Sequence, residues 1–166
     1  MTDVTHDEEE LIVTGVFEAQ RELVFRCMIE PEHLTRFWRP AGTSTPLESI
    51  TVDARPGGAF ETVMVSDSDG SRYPVRARFV EVVPPERLTW TESGTGMTIT
   101  TTFHELGPSR TEVRIVQTNV PAAVRTPEAR AGFLTSLDRL TAHLSRLTGA
   151  SSQPPGPRLV PDGGPE

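Results

Sequence analysis

Few side chains in this sequence combine the type and spacing that covalent chemistry needs. The four histidines, His6, His33, His104 and His143, show no metal-type spacing, and the single cysteine, Cys27, excludes an internal disulfide or a multi-thiolate metal site. Cys27 falls on an apolar helical face with no neighbour in sequence to lower its pKa, so it reads as a buried thiol and not a nucleophile. His33 reads as an exposed helix residue, His104 as facing away from Phe103, and His143 as lying at the edge of an apolar stripe. No serine nucleophile elbow, phosphate loop or dinucleotide fingerprint occurs. Arg55-Pro-Gly-Gly58 is glycine-rich but joins two strand patterns, which makes it a turn. Asp67-Ser-Asp-Gly70 lacks the third ligand and terminal Glu of a calcium loop. Glu81 and Glu105 fall on strands, and nothing in the sequence pairs them for acid–base work. The expectation is therefore no catalytic residue, no metal and no cofactor.

What the sequence offers instead is the lining of a binding site. Strand alternation places Phe60, Thr62 and Met64 on one face, opposite Glu61. Leu88 and Trp90 share a face, as do Ile99, Thr101 and Phe103, and likewise Val113, Ile115 and Gln117. Around Phe79, Val80, Val82 and Val83 both faces are apolar, so alternation does not decide between them. With Trp38, Phe133 and Leu137 above the sheet, these residues would enclose an apolar volume holding a few polar groups, the make-up of a ligand pocket. A filled core is the competing reading. Gln117 is the polar group best placed to orient a ligand, and it could equally satisfy backbone groups near a strand end. Trp38, Trp90 and Tyr73 combine flat apolar surface with a polar tip, suiting either a ligand or packing.

The elements that must position these residues are legible from period and punctuation. Leu11–Phe17 is a β-branched run and reads as the first strand. Within Gln20–Glu30, Leu23, Val24, Cys27 and Met28 mark one helical face. Pro31 then suits the first turn of a second short helix reaching Trp38. Arg39–Ser49 reads as loop. From Ile50 the period is two, which predicts strands over Ile50–Ala54, Phe60–Val65, Tyr73–Val83, Arg87–Thr91, Met97–Leu106 and Thr111–Thr118. Thr126, Pro127 and Glu128 suit a helix start, and Phe133, Leu137, Leu140, Leu144 and Leu147 repeat at steps of four and three. This predicts one long helix from Thr126 to Leu147, ended by Gly149. Strand, two helices, six strands and a long helix make an α+β architecture, a curved antiparallel sheet with its helices segregated.

Composition sets the outer limits. The chain has 166 residues, 36% hydrophobic and 23% charged, enough for one domain with a substantial core. All 16 basic residues are Arg and the net charge is −7, which argues against nucleic-acid binding, since that requires a basic face. No apolar run approaches the ~20 residues that span a bilayer, and the acidic N-terminus is unlike a secretory signal. The expected location is cytoplasmic. The domain is expected over residues 10–148, with an acidic lead-in over 1–9 and a Pro/Gly-rich disordered tail over 149–166.

Five stretches also carry a family likeness: Phe17-Glu-Ala-Gln-Arg-Glu-Leu-Val-Phe25, Pro31-Glu-His-Leu-Thr-Arg-Phe-Trp38, Arg55-Pro-Gly-Gly58, Glu81-Val-Val-Pro-Pro-Glu-Arg-Leu88 and Gly132-Phe-Leu-Thr-Ser-Leu-Asp-Arg-Leu140. Through them the chain resembles the activator of heat-shock-protein-90 ATPase-like family of the START/Bet v-like (SRPBCC) superfamily, over residues 10–147. The resemblance implies a helix-grip fold, a seven-stranded sheet around a long C-terminal helix with a hydrophobic cavity between. Gly15, Gln20, Phe37, Arg39 and Phe133 depart from residues frequent in the family, so a relative's ligand does not transfer. The expected function is binding of a small hydrophobic or aromatic molecule, lipid- or polyketide-like, in that cavity. The alternatives are a cyclase-, hydrolase- or isomerase-type enzyme of the superfamily, or a chaperone cofactor or interaction module, with a homodimer among the expected partners.

Overall fold

The β-branched run Leu11–Phe17 forms strand β1, burying alternate residues Val13, Gly15 and Phe17. The chain then turns through helices α1 (Arg21–Cys27) and α2 (Pro31–Phe37), with Pro31 in the first turn of α2, where an amide has no intrahelical acceptor to lose. Strands β2 (Thr43–Ser44) and β3 (Thr51–Val52) flank a short 3₁₀ turn, Leu47–Ser49. A meander follows: β4 (Ala59–Ser66), β5 (Arg72–Val83), β6 (Arg87–Glu92), β7 (Thr98–Gly107) and β8 (Arg110–Thr118). Helix α3 (Pro127–Thr148) and strand β9 (Arg158–Leu159) complete the order. The structure is a computed structural model that describes residues 10–39, 42–122, 125–149 and 158–159.

The strands form one antiparallel sheet in the order β2-β4-β5-β6-β7-β8-β1-β9, with β3 also paired to β4. All seven expected strands are present. The first of the period-two series is shorter than expected, because Asp53 already belongs to the turn. The Arg55 N–H bonds the Asp53 carbonyl, and the Gly58 N–H bonds the Arg55 carbonyl. A Cβ on Gly58 would lie 1.9 Å from the Asp53 carbonyl oxygen, so this turn requires glycine there. Two-residue strands appear where alternation has no length to register. Thr43–Ser44 pairs with Val65–Ser66 inside the expected loop, and Arg158–Leu159 pairs with Val13–Thr14 inside the expected tail. The rest of that tail and the lead-in lie outside the described residues.

The ambiguity around Phe79 resolves as a β-bulge. Phe79 is buried and Val80 58% exposed, and the β5–β6 register then shifts before Glu81, so that Val82, opposite Leu88, takes the inner side.

Helix α3, about 33 Å long at 1.5 Å per residue, is closed by Gly149. That glycine has φ +75° and donates its N–H to the Ser145 carbonyl at 2.8 Å. Leu137, Leu140 and Leu144 join one hydrophobic core with the inward residues of β1, β4, β6, β7 and β8. Leu147, the last member of the expected stripe, is 47% exposed, so the buried face ends at Leu144. Helix α1 packs on β7 and β8, where Phe25 meets Phe103 edge-on at 5.2 Å. Helix α2 packs on α3.

Candidate functional site

Register builds the inner face as rows across the strands. Leu11 stands opposite Gln117, Gln117 opposite Ile99, Ile99 opposite Trp90, and Trp90 opposite Phe79. One step along runs a second row, Val13, Ile115, Thr101, Leu88 and Val82. Directly opposed residues of antiparallel strands project to the same side, so each row is a continuous strip of side chains.

The first row, less Phe79, floors a cleft of about 410 Å³. Met64, Val75 and Met97 wall it from the sheet, Trp38 and Phe133 from the helical side, and Pro121 from the segment before α3. Its polar lining comes from Gln117, Glu92, Thr95 and Arg130. The middle of the second row borders a small inner recess of about 30 Å³, where Leu88, Thr101 and Ile115 meet Met28, Leu34 and Leu137. Trp38, Trp90, Ile99 and Phe133 border both spaces.

An aromatic cluster stands at this junction. Phe60 stacks on Trp90 with centroids 4.8 Å apart, and Trp38 meets Phe60 edge-on at 5.8 Å and Trp90 at 6.4 Å. The Trp38 Nε1–H is buried and has no hydrogen-bond partner among the described residues. The Thr62 hydroxyl shares that state.

Of the residues expected to line a site, Trp38, Met64, Trp90, Ile99, Gln117 and Phe133 meet around the cleft. Phe60, Thr101, Ile115 and Leu137 border the recess. Thr62, Phe79 and Phe103 are buried in the core and border neither space. Tyr73 is 52% exposed near the Asp67–Gly70 turn; it is opposite Met64 in register but too close to the hairpin end to be covered. Leu11 and Val75 went unrecognised although register implies them, opposite Gln117 and Thr62. Arg130 and Pro121 carry no such signal, because their place depends on how α3 lies over the sheet.

The titratable groups separate into surface pairs and one buried cluster. Glu81 accepts two hydrogen bonds from Arg87, at 2.9 and 2.8 Å, and its carboxyl is held below the usual range chiefly by those bonds. Glu105 lies instead 3.6 Å from Arg21, so the two strand glutamates go to different partners. The buried cluster joins Cys27, His33 and His143, whose ligating atoms all lie within 4.8 Å of one another. His33 Nδ1 and His143 Nε2 are 2.9 Å apart although 110 positions separate them in sequence. Linear spacing could not reveal a cluster drawn from three helices. Burial pushes the Cys27 thiol up to about 12 and, with His33, Arg146 and Arg36, lowers His143.

Comparison with known proteins gives a consistent answer. The family model described as activator of Hsp90 ATPase homolog 1-like protein matches residues 18–145. The crystal structure of protein CV1439 from Chromobacterium violaceum is similar, with a TM-score of 0.75 and 27% identity over 81% of this chain and 96% of that one. That of protein NE0264 from Nitrosomonas europaea has a TM-score of 0.73 and 25% identity over 90% of this chain and 100% of that one. PFC0360w, described as an HSP90 activator from Plasmodium falciparum, shares the fold at a TM-score of 0.58 and 17% identity, over 85% of this chain and 96% of that one. No curated protein matches significantly.

Proposed function

We propose, from the premise that this chain belongs to the activator of Hsp90 ATPase homolog 1-like family, that it binds a small apolar or aromatic molecule in the cleft between sheet and α3. One observation carries the reading. A cleft of about 410 Å³ is lined mainly by Met, Val, Ile, Phe and both tryptophans, with a few polar groups at defined positions. Small-molecule sites have this size and this make-up, at roughly 300–1,000 Å³.

The chemistry of the lining describes the ligand. Its flat apolar part lies against Trp38, Trp90 and Phe133, where aromatic contact adds to area burial. Gln117 supplies a donor and an acceptor on the cleft floor, and Arg130 gives the lining a fixed positive charge.

The test uses the protein's own fluorescence, since its only two tryptophans both line the cleft. A panel of aromatic and acyl-chain compounds is titrated while Trp emission and melting temperature are followed. Binders shift both. In Val75→Phe, which places a ring in the cleft, the same compounds bind at least about tenfold more weakly, a loss of roughly 1.4 kcal/mol. A panel that moves neither signal, or binding untouched by Val75→Phe, overturns the reading.

A chaperone-cofactor role is the second reading, favoured by the family's description and by the Plasmodium falciparum protein described as an HSP90 activator. The ATPase rate of an Hsp90-class chaperone, measured with and without this chain, decides it.

A further inference from the structure

The buried cluster at the meeting of the three helices has a use of its own. Cys27 ends α1, His33 lies in the first turns of α2, and His143 comes from α3. Cys27 is fully buried, His143 nearly so, and His33 partly. Their ligating atoms converge within 4.8 Å. The two imidazoles do not stack: their rings are tilted at 60°, and His33 Nδ1 points at His143 Nε2 across 2.9 Å. In a tetrahedral zinc site with bonds of about 2.1 Å to nitrogen, two ligating nitrogens stand ~3.4 Å apart. Opening the pair by about half an ångström, turning both nitrogens toward a common point and bringing in the Cys27 sulfur, which already lies within 4.8 Å, makes room for an ion. The far side of the His33 ring is also occupied as a metal ligand requires, because Glu30 Oε1 lies 3.4 Å from Nε2. A carboxylate there holds the proton on Nε2 and leaves the Nδ1 lone pair for the metal.

We propose that Cys27, His33 and His143 form a binding site for a borderline-soft divalent ion of the zinc class, with one thiolate, two imidazoles and a fourth position open to water. The donor set is selective: a thiolate with two imidazoles suits zinc, and magnesium or calcium would want oxygen ligands instead. With the His33 proton on Nε2, His143 Nε2 is the donor in the 2.9 Å contact, so on metal binding its proton moves to Nδ1 and frees the Nε2 lone pair. Cys27 is not deprotonated in advance, since burial pushes its thiol up to about 12. Binding consequently releases one proton from sulfur as the metal–thiolate bond forms. The ion would tie the ends of α1 and α2 to α3. Neither reading of the cleft depends on it.

The untagged full chain, stripped with a chelator, is titrated with zinc against a chromophoric competitor and, separately, with cobalt(II). The expected result is one zinc per chain, a thiolate-to-cobalt charge-transfer band, and a melting temperature that rises with zinc. Cys27→Ser abolishes the band. His143→Gln weakens zinc at least about a hundredfold, and Glu30→Gln, a change on a solvent-accessible side chain that leaves all three ligands in place, weakens it about tenfold. Circular dichroism confirms that each variant is folded, and Glu30→Gln carries the test if the two buried substitutions are not. A cobalt complex without the thiolate band, zinc affinity unchanged in Glu30→Gln, or no binding by the wild-type chain overturns the site and leaves His33–His143 as a neutral hydrogen-bonded pair.

Discussion

Among the described residues the buried Trp38 Nε1–H and Thr62 hydroxyl, like the Nε of Arg21 and of Arg139, have no hydrogen-bond partner, and the surroundings of the first two differ. Trp38 borders the cleft, whereas Thr62 is 1% exposed and borders neither the cleft nor the recess. A buried hydroxyl with no partner costs about 1–3 kcal/mol of desolvation, and a methyl group of the same shape does not. Thr62→Val should accordingly raise stability by roughly 1 kcal/mol, read as a higher urea midpoint at constant m-value. The Glu81–Arg87 pair provides a pH prediction. The carboxyl is depressed in the folded state, so its contribution is present above the unfolded carboxylate range and is lost as pH falls through the folded value. Wild type and Glu81→Gln should differ in urea midpoint at neutral pH and converge once the pH has fallen below the depressed folded-state value. Both side chains are about two-fifths exposed, so salt should narrow the difference.

Helix α3 carries its burden unevenly along its length. Leu140 is fully buried in the core and Leu147 is 47% exposed, although both belong to the same sequence stripe. Leu140→Ala removes packed methyl groups and leaves a cavity, at a cost of about 2–5 kcal/mol. Leu147→Ala should stay within about 0.5 kcal/mol of wild type. Chemical denaturation of the two variants measures the difference, and equal losses would mean that the helix is buried to its end. Strand β5 shows the same principle in a sheet. Alternation from Ala77 carries Phe79 inward and Val80 outward, and the bulge then shifts the phase so that Val82, opposite Leu88, and not Glu81 takes the inner side.

For the whole molecule, a ligand that occupies the cleft links the sheet to α3 and favours the folded state by mass action. At a ligand concentration a hundred times Kd the gain is ~2.7 kcal/mol. For a chain of this size that corresponds to a rise in melting temperature of roughly 5–10 °C. A shift of this size, together with a change in Trp emission, ties the stabilisation to the cleft, because Trp38 and Trp90 both border it. The three-helix cluster is a second point at which binding would act on the fold as a whole. It draws on α1, α2 and α3, so an ion held there opposes their separation.

Sequence alone was enough for the element order, the strand alternation and the α+β layering, and the family likeness supplied the helix-grip architecture. The first three rest on local quantities: the period of two in β4 to β8, the three-four spacing of Leu137, Leu140 and Leu144, and the turn residues between them. It was enough as well to single out Trp90, Ile99 and Gln117, because inward direction follows from alternation once a strand is recognised, and Phe133 by its place on the apolar stripe of α3. Short edge strands such as Thr43–Ser44 escaped it, since two residues have no period. Tyr73 and Thr62 show the other boundary. Alternation says which side of the sheet a residue takes, but coverage depends on what crosses above it, and that is how one came to be exposed and the other sealed in the core. The split between cleft and recess, Arg130 at the lining, and the meeting of Cys27, His33 and His143 all arise where α3 packs back on α2 and the sheet. The His33–His143 contact alone joins residues 110 positions apart, a separation that only the folded chain can close.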